Sequence, residues 1–499
     1  MPYDSTRFYE LWGEVSDLLT TEEILRWDQE TMMPQRGYVR RGHALSTVAG
    51  LRHRLLVASE LRDEVARGLD ALEPESLERR QIASAAREID RATRVPERLV
   101  QALAAATSTG LVAWQQARRD KKFALFAPAL GRIVELRREE ARVRATGDHP
   151  YDGLLDEYEP GLRTARLEPL FDRLGAELAV LIEATASSGV AVDESAARGA
   201  FPAEAQRAFG VWAATRIGFD FERGRLDLST HPFCTPLDSD DVRLTWRFDA
   251  GDFRPGLFGI LHEAGHGLYE QGLPVEWRRK PLGATRSMSL HESQSRLWEN
   301  QVGRHPAFWT FAAPRFAELF QNPPTADPET LWRAVNRIAP GPIRVDADEV
   351  TYIPHILVRF RIESALIAGE LEVADLPAAW NEGYLKLLGL LPRDEAQGVL
   401  QDIHWASGLF GYFPTYALGS LASAQLFAAA ERELGALGPR LATGELAGLL
   451  YWLRENVHRH GSRYSMDELL ERATGAPLTP EPFLEYARGK VDALYGVAP

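Results

Sequence analysis

The spacing of apolar residues along the first part of the chain predicts a series of helices. From about residue 5 to residue 145, Ala and Leu recur at helical intervals among Arg and Glu. Three prolines punctuate this stretch, namely Pro34, Pro96 and Pro128. Hydroxyl residues followed by acids predict that one helix begins at Thr20-Thr21-Glu22-Glu23. A further helix is expected from about Glu168 to Ser187, with Pro169 in its first turn.

The pattern changes after Gly218. Residues Gly224–Ser229 and Val242–Phe248 alternate between apolar and polar positions, which is typical of short strands. Helical spacing returns at about Pro255 and continues to the C-terminus. No repeat of 20–50 residues and no low-complexity linker divides the chain. The sequence therefore predicts a mostly α fold, with one large helical domain over residues 1–499 and a small β-sheet.

Composition and charge narrow the classes of function. Hydrophobic residues make up 45% of the chain and charged residues 26%, as in soluble globular proteins. The net charge of −14 argues against a nucleic acid partner and against a basic membrane-binding face. The single cysteine fits a reducing compartment, and Met1–Thr6 lacks the basic start of a signal peptide. No apolar run is long enough to span a bilayer, so we expect a soluble, cytoplasmic protein.

One segment in the second half predicts a helix whose two ends are both marked. Asp252 can cap its start, and Pro255 suits its first turn. Gly272 and Pro274 are expected to end it. Between these ends an apolar stripe at helical spacing is formed by Leu257, Leu261, Ala264 and Leu268.

The predicted helix carries the motif His262-Glu263-Ala264-Gly265-His266. His262 and His266 are one turn apart, so their imidazoles lie on one face and can bind one metal ion. Glu263 is about 100° further round the helix, where it can reach a water on that ion without being a ligand. The ion would lower the pKa of that water and polarise a scissile carbonyl, as in metal-dependent peptidases. Glu263 would accept the proton of the water and pass it to the leaving amine.

Two histidines leave a zinc ion short of its usual three protein ligands. A third histidine in the extended motif is absent, because Tyr269 and Gly272 occupy the places of its Gly and His. Glu292, near a predicted helix start, would complete a set of two histidines and one carboxylate. On spacing alone three other glutamates compete for this role, namely Glu270, Glu276 and Glu299.

Six ordered motifs surround and include this segment. They are His231-Pro232-Phe233, Asp241-Val242-Arg243-Leu244-Thr245, the His262–His266 segment, His291-Glu292-Ser293-Gln294, Ile343-Arg344-Val345-Asp346-Ala347-Asp348 and Gly398-Val399-Leu400-Gln401-Asp402-Ile403-His404-Trp405. Two further segments, Trp27–Pro34 and Tyr151–Gly161, extend the similarity over nearly the whole length. With these motifs the chain resembles the carboxypeptidase Taq family of metallocarboxypeptidases.

The resemblance implies a complete metal site. The implied ligands are His262, His266 and Glu292, with Glu263 as the general base. This answers the question of the third ligand in favour of Glu292. Family members use zinc, and some work well with cobalt. We therefore expect one divalent ion per chain, with zinc as the expected metal and cobalt as the alternative.

The resemblance also implies an architecture and an activity. The fold would be mostly helical, with a deep active-site groove and the small sheet beside the zinc helix. Residues 1 to about 200 would cover the groove, and residues from about 201 to 499 would form the catalytic part. Members are homodimers that remove single C-terminal residues with broad specificity, usually sparing a C-terminal proline. The expected substrates are peptides with a free C-terminal carboxylate.

A carboxypeptidase needs a fixed cation for the terminal carboxylate of its substrate, and the fork of an arginine suits this role. Arg344 is our choice, because its motif resembles the substrate-binding segment of the family. Arg243 is the second candidate. The alternative for either arginine is a structural ion pair, with Asp348 for Arg344 or with Asp241 for Arg243. The alternating strand around Arg243 favours the structural pair there.

Five further residues are candidates for contact with the substrate: Tyr352, His355, Tyr412, His231 and His404. Tyr352 and His355 lie in a segment similar to the region that supplies oxyanion donors in related helical zinc peptidases. Tyr412 lies in a Gly-rich, aromatic segment. His231 can bind the substrate backbone, and His404 can orient Asp402 or a ligand. The alternative for each is a buried group with a structural hydrogen bond, and Cys234 is expected to be a buried, inert thiol.

Two other functions share these features in part. A related zinc oligopeptidase or dipeptidyl carboxypeptidase would have the same metal site without a carboxylate clamp beside the scissile bond. A helical scaffold with an inactive site is the third possibility, and the intact Glu263 argues against it.

Overall fold

Helices make up most of the structure, a computed structural model that describes residues 3–285, 287–321 and 323–497. Within these residues nine α-helices precede the sheet: α1 Thr6–Thr31, α2 Tyr38–Leu56, α3 Ser59–Ala71, α4 Leu77–Arg94, α5 Glu97–Asp120, α6 Ala127–Arg144, α7 Asp152–Tyr158, α8 Thr164–Ser187 and α9 Ala203–Ile217. Three strands follow: β1 Gly224–Leu228, β2 Cys234–Asp238 and β3 Asp241–Trp246. The remaining α-helices are α10 Arg254–Gln271, α11 Met288–Arg296, α12 Pro306–Leu319, α13 Pro328–Val335, α14 Glu349–Ala368, α15 Leu376–Leu388, α16 Pro414–Leu434, α17 Leu437–Thr443, α18 Ala447–Asn456, α19 Met466–Thr474 and α20 Glu481–Tyr495. The predicted mostly α fold with a small sheet is confirmed.

The predicted helix start at Thr20–Glu23 is wrong, because these residues lie inside α1. The hydroxyl of Thr21 donates to a backbone carbonyl one turn earlier, at 2.9 Å, instead of capping a new helix. Glu22 is buried and accepts a hydrogen bond from Arg52 of α2 at 2.7 Å. The acidic residue that suggested a first turn is therefore an interhelical contact in the middle of a long helix.

The helix predicted from Glu168 begins earlier, at Thr164, so that Pro169 lies inside α8 rather than in its first turn. The reason is a distant partner for the first backbone N–H. Asp152 Oδ1 accepts hydrogen bonds from both the backbone nitrogen and the hydroxyl of Thr164, each at 2.6 Å. A carboxylate at a helix N-terminus is favourable, and no local pattern in the sequence announces this one.

The sheet has the strand order β1-β3-β2, with β1 parallel and β2 antiparallel to β3. Both strands predicted from alternation are present as β1 and β3. The edge strand β2 was missed, because Cys234–Asp238 is short, contains Pro236 and does not alternate. Strand β3 packs against α10 through buried side chains that include Val242 and Leu244. The sheet therefore lies beside the helix that carries the two motif histidines.

Two main groups of buried apolar side chains hold the helices together. The larger group runs from Trp114 of α5 to Tyr495 of α20 and includes α10, α11, α14 and α16. A separate group, from Phe8 to Ile89, joins α1, α2, α3 and α4. The four N-terminal helices therefore have a core of their own. Among the described residues, no helix is long and apolar enough to cross a lipid bilayer.

Candidate metal centre and active site

Helix α10 forms as predicted in its middle and at its end. The stripe of Leu257, Leu261, Ala264 and Leu268 is buried. The helix ends at Gln271, with Gly272 as its C-cap. Its start differs from the prediction, because the N-cap is Phe253 and no side chain caps it. Asp252 instead accepts a hydrogen bond from the backbone nitrogen of Arg254 at 2.9 Å and pairs with the guanidinium of the same residue.

Two glycines allow the third ligand, the carboxylate of Glu292, to reach the two histidines. A Cβ on Gly265 of α10 would lie 2.6 Å from the backbone of Gln294, so only glycine lets α10 approach α11 this closely. From the other side, a Cβ on Gly419 of α16 would lie 2.5 Å from Glu292 Cγ. Glu292 is thus held between two helices, pressed towards the face of α10.

His262, His266 and Glu292 come together at one point. Glu292 Oε2 is 3.7 Å from Nε2 of His262 and 3.7 Å from Nε2 of His266. One ligand atom from each of the three residues lies within 4.8 Å of the other two. Tetrahedral zinc, with bonds of about 2.0–2.2 Å to nitrogen and oxygen, separates its ligand atoms by about 3.4 Å. The three residues therefore fit a divalent ion of this kind.

The second carboxylate oxygen of Glu292 is held by a neighbouring side chain. Glu292 Oε1 accepts a hydrogen bond from Arg296 Nε at 2.7 Å, which leaves Oε2 facing the histidines. Burial lowers the pKa of His266 well below its usual value, and the neighbouring His291 and His262 lower it further. A neutral imidazole is the form that binds a metal ion.

The other candidate glutamates lie elsewhere. Glu299 Oε2 is 2.9 Å from His262 Nδ1, so Glu299 sits behind the histidine and not beside the other ligand atoms. Glu270 Oε1 accepts hydrogen bonds from His291 Nε2 and from Thr285, each at 3.0 Å. Glu276 is exposed to solvent. Of the four glutamates, only Glu292 joins the two histidines.

Glu299 is well placed to orient His262. It lies in a π-helical segment, Leu297–Val302, that continues directly from α11. Burial raises its pKa, but Arg296, the bond to His262 and Arg304 outweigh this and lower it to about 2. The ionised carboxylate can only accept, so His262 donates through Nδ1 and keeps Nε2 free. Carboxylates in this position fix the ring and raise its basicity.

The position of Glu299 leads to a prediction about metal affinity. Glu299→Gln should weaken metal binding by about 10- to 100-fold, because the amide loses the charge that strengthens His262 as a ligand. Competition with a chelator of known affinity measures this change. Glu276→Gln, an exposed glutamate just beyond α10, is the matched control and should bind the ion as tightly as the wild type. Equal affinities for both variants would contradict the orienting role.

Glu263 is buried next to this group. Burial raises the pKa of Glu263, and the balance of His262 and His291 against Glu292 and Glu299 leaves it at about 7. A carboxylate with a pKa near neutral pH can both take and return a proton. Cys234 is half-buried at the start of β2. Burial, and after it the charge of Glu263, raises the pKa of its thiol well above the usual value. Its thiol is therefore unreactive.

Arg344 lies in a buried group with a net positive charge. Its Nη2 donates to Asp402 Oδ1 at 2.8 Å, and Arg359 Nε donates to Asp402 Oδ2 at 2.7 Å. Arg344 and Arg359 keep the pKa of Asp402 far below its usual range although burial opposes this. Burial lowers the pKa of His404 to about 4, so this ring is neutral at pH 7. Two guanidinium groups and one carboxylate leave one positive charge, which suits an anionic ligand.

Of the two structural ion pairs considered from the sequence, Arg344 with Asp348 and Arg243 with Asp241, only the second is present. Asp348, the alternative partner of Arg344, instead caps α14 by accepting hydrogen bonds from Val350 and Thr351. Arg243 does pair with Asp241, at 2.9 Å and 3.0 Å, and its guanidinium lies 4.3 Å from the centre of the Trp27 ring. The geometry therefore supports the structural interpretation for Arg243.

Tyr352 connects the positive group to the metal ligands. Its hydroxyl accepts a hydrogen bond from Arg344 Nη1 at 3.1 Å. The guanidinium of Arg296, which holds Glu292, lies 4.4 Å from the centre of the Tyr352 ring. His404 and Tyr412 belong to the same region, with ring centres 5.8 Å apart. His404 Nδ1 is 4.0 Å from Asp402, too far for a hydrogen bond.

His355 borders this group on α14, where its backbone carbonyl accepts a hydrogen bond from Arg359 Nη1 at 2.7 Å. His355 is fully buried, and its Nδ1 bonds the hydroxyl of Tyr384 at 2.9 Å, so it has no surface for a substrate. The side chain of His231 is exposed before β2, where its carbonyl accepts a hydrogen bond from Ser229. Sequence reasoning overlooked Arg296 and Arg359. The spacing of Arg296 four residues after Glu292 was a usable signal, whereas the pairing of Arg359 with Asp402 is purely tertiary.

The fold and this set of residues define a mostly helical protein with a site for one divalent ion. The buried positive group around Arg344 lies beside that site. Residues 7–491 match the family model described as carboxypeptidase Taq (M32) metallopeptidase, and the chain belongs to this family. It is therefore a metallocarboxypeptidase, a peptide hydrolase that depends on a divalent metal.

Known proteins are similar over their full length. Thermostable carboxypeptidase 1 of Thermus thermophilus is 42% identical, with 98% of each chain covered. Carboxypeptidase 1 of Bacillus subtilis is 34% identical, again over 98% of each chain. The crystal structure of M32 carboxypeptidase from Deinococcus radiodurans R1 has a TM-score of 0.94 at 38% identity and covers 98% of this chain and 99% of that one. The resemblance in sequence is thereby confirmed.

Proposed function

We propose that the chain hydrolyses the last peptide bond of its substrates at the group formed by His262, His266 and Glu292. A divalent ion bound there would lower the pKa of water and polarise the scissile carbonyl. Glu263 accepts a proton from the water and passes it to the leaving amine. The single observation that carries this proposal is the convergence of the three ligand atoms within 4.8 Å. Zinc is the proposed ion, since it favours this donor set, and cobalt can replace it.

The positive group around Arg344 supports release of one residue at a time. A carboxylate one residue beyond the scissile bond would bind Arg344, while Tyr352 and Arg296 join this position to Glu292. Tyr412 and His404 are proposed to line the same space. For His355 we propose a structural role, since it is fully buried, whereas His231, exposed before β2, stays a proposed contact for the substrate backbone.

The assembly and location are also proposals. We propose one structural unit over residues 1–499, in which the N-terminal helices cover a groove above the metal site. The helices α1–α4 have a core of their own, but Thr20 of α1 donates to the carbonyl of Leu237 in β2 at 3.3 Å, which supports a position over the sheet beside the metal site. We propose a homodimer, and apolar side chains left exposed on α1 and α2, including Leu19, Ile24 and Leu51, are available for contact. The single cysteine fits the proposed cytoplasmic location.

A time course on a peptide with a free C-terminus tests the proposed activity. Mass spectrometry should show a ladder in which the peptide loses one residue after another from its C-terminal end. Glu263→Gln protein at the same concentration is the control and should give almost no ladder. Internal fragments, or dipeptides as the first products, would contradict the proposal and favour an oligopeptidase or dipeptidyl carboxypeptidase.

A further inference from the structure

An irregular loop connects the positive group around Arg344 with the region of the metal ligands. Residues 402–413, here the 402–413 loop, lie between α15 and α16 without helix or strand. The loop begins with Asp402, which binds Arg344, and it carries His404 near its start and Tyr412 near its end. Turns alone do not fix the position of such a segment, so this position depends on the contacts of the loop with the residues beneath it.

A fully buried carboxylate beneath the loop holds it at two points. Glu363 of α14 has no exposed surface. Its Oε1 accepts a hydrogen bond from Trp405 Nε1 at 2.7 Å, and its Oε2 accepts one from the backbone nitrogen of Gly411 at 2.9 Å. The hydroxyl of Tyr151, next to α7, also donates to Oε2. Burial raises the pKa of Glu363 to about 7 even though all three donors favour the charged form.

The bond to Gly411 determines where the next residue lies. Gly411 has a φ of 93°, and a Cβ there would lie 2.6 Å from the carbonyl oxygen of Leu154, so the loop backbone is pressed onto α7. The Tyr412 ring then packs edge-on against Tyr158 of α7 at 5.1 Å and against Tyr416 of α16 at 5.2 Å. Burial, and after it the charge of Glu292, raises the pKa of Tyr412 to about 12. Tyr416 lies one turn before Gly419 on α16, where a Cβ would lie 2.5 Å from Glu292 Cγ, so the Tyr412 ring is held on the helix that contacts the proposed metal ligand.

We propose that Glu363 is a positioning residue for catalysis: by holding Gly411 and Trp405 it places the Tyr412 hydroxyl beside the reacting peptide bond. Glu363 itself touches no substrate, because it is sealed beneath the loop. Burying a carboxylate among three neutral donors costs free energy of desolvation, which the stabilisation of a turn alone does not require. Glu363 lies under a loop that contacts Arg344 through Asp402 and carries Tyr412, so holding this loop can serve catalysis. This inference rests on the proposed function.

A double-mutant cycle on the metal-loaded protein tests the proposal. Glu363→Gln turns an amide N–H towards a donor and should lower kcat/KM on an N-blocked dipeptide with a free C-terminus by about 10-fold or more. In a Tyr412→Phe background the same substitution should cost less than about 3-fold, because the group it positions is already missing. Metal content should not change in either background. Glu382→Gln, an exposed glutamate on α15, is the control and should match the wild type.

A gentler variant keeps the test decisive if Glu363→Gln does not fold. Tyr151→Phe removes one donor to Glu363 without changing any charge, and its smaller loss of kcat/KM should also disappear in the Tyr412→Phe background. An equal loss in both backgrounds, or no loss in either, would overturn the proposal, since a purely structural effect does not depend on Tyr412. Failure of the proposed function is distinguishable, because the wild-type protein would then leave the blocked dipeptide intact in the same assay.

Discussion

Glu263→Gln should leave the bound ion in place and lower kcat by about 10²- to 10⁴-fold, the range expected for loss of a general base. Glu263 is buried beside the metal group, but the atoms that converge there belong to His262, His266 and Glu292. Glutamine has nearly the same shape and cannot accept the proton. Burial raises the pKa of Glu263 to about 7, a value that suits a group that both takes and returns a proton. Steady-state rates and metal analysis of the same preparation measure the two quantities together.

The matched control for this variant is Glu276→Gln. Glu276 is exposed just beyond α10, so its substitution should change neither the rate nor the metal content. Turnover of Glu263→Gln close to the wild-type value would remove Glu263 from the role of base. Loss of the ion together with the rate would contradict its assignment as a residue that does not bind the metal.

Amidating the C-terminus of the substrate should lower kcat/KM by roughly 10- to 150-fold. A charge-assisted bond contributes about 1.5–3 kcal/mol, and each 1.4 kcal/mol corresponds to about tenfold. The bond is expected to be at the strong end of this range, because Arg344 is only 6% exposed and its surroundings carry one excess positive charge. Rates on one peptide as the free acid and as the amide give the ratio directly.

Substitution at Arg344 identifies the residue responsible. Arg344→Ala should cost a similar factor on the free acid and much less on the amide, where the partner charge is already absent. Arg344→Lys should keep part of the preference, since it retains the charge and loses the fork. Arg243→Ala, which breaks a pair with Asp241, is the control and should preserve the preference for the acid. A preference that survives both Arg344 substitutions would place the clamp elsewhere.

The sequence predicts well those features that depend on neighbours along the chain. The ends of the apolar stripe and the C-cap of α10 are local, and Gly272 marks the end correctly. The start of α8 could not be predicted in the same way, because its first N–H bonds to Asp152, the first residue of α7. Strand β2 lacks alternation and exists because it pairs with β3.

The candidate site shows the same division between features set by neighbours along the chain and features set by tertiary contacts. The spacing of His262 and His266 on one helix predicts their common face, whereas the choice among four glutamates depends on how closely α10 and α11 approach at Gly265. Family resemblance, and not spacing, favoured Glu292. The pairing of Arg344 with Asp402 brings together residues 58 positions apart, so reasoning from neighbouring acids pointed to Asp348 instead.

Activity measured while zinc is returned to metal-depleted protein tests the metal centre most directly. The substrate is a peptide with a free C-terminus, and the metal content of the starting material is verified first. With His262, His266 and Glu292 as one site, hydrolysis should be absent at the start, rise in proportion to added zinc and stop rising at one equivalent per chain. Hydrolysis at the full rate by protein shown to contain no metal would contradict the account.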